Sequence, residues 1–252
     1  AASFQMLDAF TAAGFDFIDT ADVYSRFIPG NQGGESEVIL GKWMKARGNR
    51  DRVILATKAG MDMGEGREGL SKAYLFKAVE DSLRRLQTDY IDLYQAHVDD
   101  PKTPLEETLG AFAELIRQGK VRVIGASNYS AERLDAALAV SDRLGLPAYQ
   151  SLQPLYNLID RTAYEAELQP LCKAKGLGVI PYFSLASGFL TGKYRSEADF
   201  ANSSRGGFVK HHLNDRGLRI LDALDQVAEG FNATPGMVAL AWLMAQPTVT
   251  AP

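Results

Sequence analysis

The sequence has little of the chemistry that builds disulfides, metal centres or nucleic-acid surfaces. Of its 252 residues only Cys172 is a cysteine and only three are histidines, so an internal disulfide is impossible and no metal site is expected. Cys172 lies in the helical pattern LQPLCKAKG, which favours a structural thiol over a nucleophile. The formal net charge of −4 gives no electrostatic case for binding nucleic acid or an anionic membrane.

Long apolar runs are also missing. No stretch approaches the ~18 consecutive apolar residues of a membrane span, and the first segment, AASFQMLDAF, lacks the basic start and apolar core of a signal peptide. We therefore expect a cytoplasmic protein with no membrane partner. A hydrophobic content of 46% with 23% charged residues is typical of a soluble globular protein. No linker, repeat or composition shift divides the chain, which predicts a single domain over residues 1–252.

Apolar runs with the features of buried strands alternate with amphipathic helical patterns along the chain. The predicted strands are Phe15–Ala21, Val53–Lys58, Tyr90–His97, Val121–Asn128, Ala148–Tyr156, Gly178–Leu185 and Thr248–Pro252. The predicted helices are Ala2–Ala13, Ser36–Arg47, Ser71–Leu86, Leu105–Gln118, Ala131–Leu144, Tyr164–Lys175, Asp215–Phe231 and Thr234–Gln246. The alternation predicts an α/β fold with parallel strands, and the strand count favours a (β/α)8 TIM barrel over a doubly wound sheet.

A closed barrel of this kind has eight strands, and the sequence shows seven. The chain opens on a helical pattern and stops inside or just after a strand. We therefore expect the natural protein to have one more strand before Ala1 and one more helix after Pro252. An open sheet of seven strands is the alternative, but it would expose long hydrophobic edges.

Four chemically complementary side chains follow three successive predicted strands. Asp19 and Tyr24 come at the end of GFDFIDTADVYS, Lys58 ends VILATK, and His97 ends YIDLYQAH. Parallel strands place their carboxyl ends on one face, where active sites of such folds lie. An ammonium beside a phenol stabilises the phenolate, a carboxylate holds the ammonium, and an imidazole can bind a carbonyl oxygen. Together they suit polarising and protonating a carbonyl, although each alone is more often structural.

The later strands carry groups suited to a flat heteroaromatic cofactor. Ser127, Asn128 and Gln153 could hydrogen-bond a carboxamide, and Tyr182 offers a ring for stacking. The loop SLASGFLTGKY follows, with two glycines and Lys193, and could bring backbone N–H groups and a positive charge to a pyrophosphate. Arg205 in SSRGG could add a further contact to an anion.

With these segments in view, the sequence resembles the aldo-keto reductase family over essentially its whole length. The matching segments are GFDFIDTADVYS, VILATK, DYIDLYQAHVDD, GKVRVIGASNYS, LQPLYNL and PYFSLASGFLTGKY. The resemblance implies a (β/α)8 barrel that uses NADPH to reduce a small-molecule aldehyde or ketone, with NADH as a possible substitute. It implies that Tyr24 is the general acid, Lys58 and Asp19 complete a proton relay, and His97 orients the substrate.

The resemblance also implies a set of cofactor contacts. Asp19, Ser127, Asn128 and Gln153 would face the nicotinamide, Tyr182 would stack on it, Leu185, Gly188, Leu190 and Lys193 would line the pyrophosphate path, and Arg205 would lie near the adenosine phosphates. Phe183 stands where the family's loop commonly has a serine, so no hydroxyl contact is expected there.

Two other functions remain open at this point. Lys58 could form an imine with a carbonyl substrate, as in Schiff-base lyases, but Asp19 beside it favours the charged amine, which is not nucleophilic. The LTGKY loop is also similar to that of the β subunits of voltage-gated potassium channels. A subunit of that kind would bind a nucleotide and turn over little.

Overall fold

A computed structural model describes residues 2–203 and 206–252 of the chain. The chain divides into two compact units, the first ending at Gln150 and the second beginning at Ser151. The expectation of a single domain over residues 1–252 stays a prediction, and each unit is described by itself.

The first unit alternates helices with short strands. In chain order they are α1 (Ala2–Ala12), β1 (Phe17–Asp19), α2 (Glu35–Arg47), β2 (Ile54–Ala59), α3 (Lys72–Leu86), β3 (Ile91–Ala96), α4 (Leu105–Arg117), β4 (Val121–Ser127) and α5 (Ala131–Leu144). A short 3-10 turn, Arg50–Arg52, precedes β2. The four strands lie side by side in chain order and pair in parallel, with Asp19 opposite Ala56, Lys58 opposite Gln95 and Tyr94 opposite Ile124. The predicted alternation and parallel pairing are confirmed.

The helices of this unit begin and end where the sequence places capping residues. Ser71 and Ser130 accept hydrogen bonds from Tyr74 N and Arg133 N, which satisfies backbone donors that have no partner inside α3 and α5. Gly145 ends α5 in the left-handed conformation that glycine adopts without strain. These contacts define where α3 begins and where α5 begins and ends.

Two short strands and four α-helices lie in the described residues of the second unit. They are β5 (Ser151–Gln153), α6 (Gln169–Lys175), β6 (Gly178–Val179), α7 (Gly206–Val209), α8 (Asp215–Gly230) and α9 (Pro235–Met244). One turn of π-helix, Tyr164–Leu168, precedes α6, and three 3-10 segments, Ala186–Thr191, Glu197–Asn202 and Lys210–His212, lie between β6 and α8. The strands β5 and β6 pair in parallel.

The seventh predicted strand was wrong as an extended element. Within the described residues, the segment predicted as Thr248–Pro252 makes one isolated parallel bridge, Val249 to Val179, supported by a bond from Thr250 N to Val179 O of 2.8 Å. Two causes are evident. The partner strand β6 is itself only two residues long, and proline at 252 lacks an N–H to donate.

The core of the second unit lies under the loop between β6 and α8. Phe189, Leu190 and Tyr194 of this loop are buried against Leu221 and Leu224 of α8. The loop is therefore a packed element, anchored by its own apolar side chains.

Among the described residues, no helix is long and apolar enough to cross a membrane.

Candidate active site

Lys58 is the centre of the polar cluster at the carboxyl ends of the first unit's strands. Its side chain is fully buried, and its Nζ donates hydrogen bonds to Asp19 Oδ2 at 2.5 Å, Thr20 O at 2.8 Å and Tyr24 Oη at 3.0 Å. The ammonium has three donors and here has three oxygen acceptors, so its position is fully determined. The structure thus brings three of the four predicted side chains into direct contact.

Asp19 is held by a residue that the sequence argument did not single out. Gln95 of β3 is fully buried and donates from Nε2 to Asp19 Oδ1 at 3.1 Å, which leaves Asp19 Oδ2 directed at Lys58. A signal for Gln95 was present, because it stands two residues before His97 and strand residues two apart share a face. The carboxylate is therefore fixed from two strands.

His97 lies directly after β3, next to the phenol. The Tyr24 and His97 rings meet edge to face with centroids 5.9 Å apart. Burial, and after it the positive charge of Lys58, lowers the pKa of His97 from 6.5 to about 3. His97 is consequently a neutral imidazole at neutral pH, able to donate one hydrogen bond and accept another. Its Nδ1 is buried and has no partner among the described residues.

Ser127 and Asn128 close β4 beside this cluster. Ser127 is buried, whereas Asn128 is exposed and adopts a left-handed conformation with φ of 55°. The amide Nδ2 of Asn128 donates to His97 O at 2.9 Å and to Ser127 Oγ at 3.1 Å. Asn128 thus joins the ends of β3 and β4 and fixes the backbone at His97.

The remaining predicted cofactor residues lie in the second unit. Gln153 ends β5 and is buried, and Tyr182 is half-buried, with its ring edge to face against Phe183. Leu190 is fully buried in the core of this unit, so any ligand contact it made would come from its backbone. Arg205 lies outside the described residues.

The turn that follows Tyr182 has an unusual backbone. Positive φ values of 54°, 48° and 54° occur at Phe183, Ala186 and Ser187. Residues other than glycine rarely adopt this region. Gly188 continues the turn at φ 98°, and a Cβ there would lie 3.3 Å from Lys193 Nζ. The amine of Lys193 therefore lies close against the backbone of this turn. Strain of this kind persists where the surrounding packing imposes it, and it concentrates at ligand sites.

Comparison with known proteins assigns the family. The family model described as "Aldo/keto reductase family" matches residues 1–252. The chain belongs to the aldo-keto reductase family. Aldo-keto reductases are NAD(P)H-dependent oxidoreductases built on a (β/α)8 barrel, so the predictions of the family, the barrel class and an oxidoreductase are confirmed.

Individual aldo-keto reductases and their relatives match nearly the whole chain. Aldo-keto reductase YhdN of Bacillus subtilis (strain 168) is 37% identical over 252 residues, which cover 97% of this chain and 72% of that protein. Aldo-keto reductase yakc [NADP(+)] of Schizosaccharomyces pombe is 32% identical over 92% of this chain and 67% of its own length. A probable voltage-gated potassium channel subunit beta of Oryza sativa subsp. japonica is 33% identical over 97% of this chain and 75% of its own length.

Asn157 is a second residue of this aldo-keto reductase that the sequence argument missed. It is fully buried, and its Oδ1 accepts from Ile159 N and Asp160 N, both at 2.9 Å. Its Nδ2 donates to the carbonyl oxygen of Phe183 at 3.1 Å. Asn157 therefore holds the backbone of the strained turn at Phe183. The sequence pattern N-L-I-D, which is typical of an Asx turn, could have indicated this residue.

Asp22, three residues after Asp19, is a third residue that the sequence pattern did not single out. It is almost completely buried, and its Oδ1 has no hydrogen-bond partner within the described part of the chain. Burial first, and then the nearby charge of Glu37, raises the pKa of its carboxyl from 3.8 to about 7. In the unfolded chain the same carboxyl has its ordinary pKa of 3.8. Between these two pKa values, the folded protein therefore holds a proton that the unfolded chain has released.

Stability should therefore fall as the pH rises from about 4 to about 7, by roughly 4 kcal/mol from this group. The variant Asp22→Asn keeps the shape of the protonated acid and does not titrate. We expect its free energy of unfolding, measured by urea titration at pH 5 and pH 8, to gain on the wild type at the higher pH by a few kcal/mol. An equal pH dependence of the two proteins would show that Asp22 is ionised in the folded state.

Proposed function

We propose that this protein reduces the carbonyl group of a small aldehyde or ketone to an alcohol, using NADPH, with Tyr24 as the general acid. The observation that carries the proposal is the set of three hydrogen bonds from Lys58 Nζ, which places a fixed ammonium between the carboxylate of Asp19 and the hydroxyl of Tyr24. When bound, the nicotinamide supplies a hydride to the carbonyl carbon, and the residues described here act on the oxygen.

Tyr24 gives its proton to the substrate oxygen as negative charge develops there. The phenolate that forms lies 3.0 Å from the ammonium of Lys58, which stabilises the charge at the moment it appears. Asp19, held by Gln95, keeps the ammonium in place between turnovers. Because the ammonium is already positioned, no reorganisation is needed during the proton transfer.

His97 suits the task of orienting the carbonyl. A neutral imidazole beside the Tyr24 ring can donate a hydrogen bond to the same oxygen without competing for its proton. An imidazolium would add a second positive charge next to Lys58, which burial and Lys58 itself oppose.

The second unit offers features that fit a dinucleotide. Lys193 has no carboxylate partner among the described residues and lies close against Gly188 in a turn of positive-φ residues. A cation beside such a turn suits an anionic pyrophosphate. Gln153 and Tyr182 supply an amide and an aromatic ring, the groups that a carboxamide and a nicotinamide ring require. The choice of NADPH over NADH draws on Lys193 and on the relative named for NADP(+).

A Schiff-base mechanism is disfavoured by the same geometry. To attack a carbonyl carbon, the amine of Lys58 would have to lose a proton and give up its bonds to Asp19, Thr20 and Tyr24. The carboxylate bonded to this amine, Asp19, forms an ion pair with it and so favours the protonated form.

The proposal is tested by titrating the protein with NADPH and NADH while following the cofactor fluorescence. An aldehyde such as 4-nitrobenzaldehyde is then added and the loss of absorbance at ~340 nm recorded, the band of the reduced nicotinamide. We expect NADPH to bind more tightly than NADH and to be oxidised at a rate proportional to the enzyme concentration. Binding without oxidation would instead favour the regulatory role suggested by the potassium-channel relative. Absence of binding would contradict both functions.

A further inference from the structure

The first turn of α2 holds both backbone segments that surround the ammonium of Lys58. Ser36 Oγ accepts a hydrogen bond from Thr20 Oγ1 at 2.8 Å, and the carbonyl oxygen of the same Thr20 accepts from Lys58 Nζ at 2.8 Å. The hydroxyl and the carbonyl of Thr20 therefore connect the helix to the ammonium in two bonds. Thr20 is fully buried, so water does not compete for these bonds.

The next residue of that turn, Glu37, reaches the strand that carries Lys58. Glu37 is fully buried and its Oε1 accepts from Thr57 Oγ1 at 2.7 Å. Thr57 and Lys58 are neighbours in β2, so their side chains point to opposite faces of the sheet. A bond that fixes Thr57 on the helix side consequently fixes the backbone from which Lys58 projects on the other side.

The charge of Glu37 is balanced from α3. Arg85 Nε donates to Glu37 Oε2 at 2.6 Å, and its Nη2 donates to Ser82 Oγ at 3.2 Å. The arginine passes over Gly34, where a Cβ would lie 2.5 Å from Arg85 Cδ. Glycine at this position thus admits the side chain that neutralises Glu37.

Other ionisable groups also face this cluster. Asp22 approaches Glu37 from the loop after β1, and its backbone N donates to Lys58 O at 3.1 Å. Tyr94 of β3 lies near both carboxyls and Tyr74 of α3 lies near Asp22, and burial is the main cause that raises the pKa of each phenol. Both phenols are thus neutral at neutral pH, and Arg85 is the cation hydrogen-bonded to Glu37.

We propose that Glu37 is a positioning residue for catalysis, which sets the place of the Lys58 ammonium through its hydrogen bond to Thr57, while Ser36 does so through Thr20. The proposal rests on the proposed reduction at Tyr24 and adds to it a group that touches neither substrate nor cofactor. A shift of the ammonium by a fraction of an ångström changes its contact with Tyr24, and misplacement of about 1 Å can cost as much as 100-fold in rate.

The test uses two variants in the full chain. Thr57→Val puts an uncharged side chain of the same shape in place of threonine. It removes the hydroxyl that donates a hydrogen bond to Glu37. Glu37→Gln keeps the shape but has a single acceptor oxygen, so it cannot accept from both Thr57 Oγ1 and Arg85 Nε as the carboxylate does. We expect each to lower kcat for an aldehyde substrate by about 10-fold or more while the KM for the cofactor stays within about twofold, because positioning of the acid is lost and binding is not.

A second measurement does not depend on turnover. A buried ammonium that donates three hydrogen bonds exchanges its protons slowly and should give a resolved ¹H–¹⁵Nζ cross peak in labelled protein. Loss of that peak in Lys58→Met assigns it to Lys58. We expect the peak to shift or broaden in both Thr57→Val and Glu37→Gln.

The matched control is Thr108→Val, which removes another buried threonine hydroxyl, one that donates to Leu70 O at 3.1 Å and has no link to Lys58. It should lose a similar amount of thermal stability and keep both kcat and the Lys58 peak. An unchanged peak and an unchanged kcat in Thr57→Val would overturn the proposal even if that variant were less stable, and this variant decides the matter if Glu37→Gln fails to fold. If the wild type has no carbonyl turnover, the proposed reduction fails, and the cross peak alone still decides whether Glu37 positions Lys58.

Discussion

Replacing Tyr24 by phenylalanine should lower kcat for carbonyl reduction by about two to four orders of magnitude, the range typical for loss of a general acid. The substitution keeps the ring that lies against His97 and removes only the hydroxyl that accepts from Lys58 Nζ. Cofactor affinity should change little, because the hydroxyl acts on the substrate oxygen. The measurement is steady-state kinetics with an aldehyde, together with a fluorescence titration of NADPH for the same variant.

A matched control separates loss of the acid from loss of any tyrosine hydroxyl. Tyr90 precedes β3, with its ring between the guanidinium groups of Arg50 and Arg122 at centroid distances of 3.9 and 4.1 Å. Tyr90→Phe should therefore keep near wild-type kcat. If Tyr24→Phe kept most of its activity, Tyr24 would not be the proton donor and the acid would have to be sought elsewhere in the first unit.

Lys58→Met should be nearly as damaging to kcat, again by about two orders of magnitude or more. Methionine fills most of the volume of the buried lysine side chain. It removes the positive charge that stabilises the phenolate formed when Tyr24 gives up its proton. Asp19 loses its ion-pair partner but keeps its bond from Gln95 Nε2 at 3.1 Å, and its side chain is 25% exposed, so solvent can still reach it. The expected result is a folded protein with low kcat, checked by kinetics and circular dichroism.

Lys77→Met makes the same chemical change at an exposed position of α3 and should leave kcat unaltered. Retention of most activity by Lys58→Met would show that the charge of Lys58 is not used in the reaction. Loss of the fold in that variant would be traced by comparison with Lys58→Gln, which can still donate to Thr20 O.

The sequence was informative about the first unit for a physical reason. Most residues of its strands β2 and β3 are buried, and α3 and α5 begin at serines that cap them, so the hydrophobic pattern and the capping residues indicate the same elements. The helix α5, for example, has the predicted bounds Ala131–Leu144. Placing Asp19, Lys58 and His97 at strand ends needed only the rule that parallel strands end on one face. The structure brings Asp19, Tyr24 and Lys58 into hydrogen-bond contact there.

The second unit was harder to predict, since its elements are short and depend on tertiary packing. The strand predicted as Gly178–Leu185 is formed only at Gly178–Val179, and the helix predicted from Tyr164 begins with a turn of π-helix. The positive φ values of Phe183, Ala186 and Ser187 contradict local preference and are imposed by bonds such as that from Asn157. No pattern in a single sequence signals such a conformation at a phenylalanine.

Buried charge was also beyond the sequence argument. Acidic side chains such as Asp22 and Glu37 are rarely buried in folded proteins, so the sequence alone favours a place on the surface for both. Their burial follows from the close approach of α2 and α3, which Gly34 and Gly41 permit by leaving room for Arg85. Contacts between residues 48 positions apart, as for Arg85 and Glu37, depend on how the helices pack and not on local spacing.

The hydrogen bonds around Lys58 have a consequence for the order in which the molecule is made. Every bond described for Asp19, Tyr24 and Lys58 joins residues between Asp19 and Gln95, the longest spanning 76 positions. A ribosome adding about 5–20 residues per second completes this stretch several seconds before it reaches the turn at Phe183. The proton-donating half of the site can thus be assembled on the nascent chain while the segment proposed to hold the cofactor has yet to be translated.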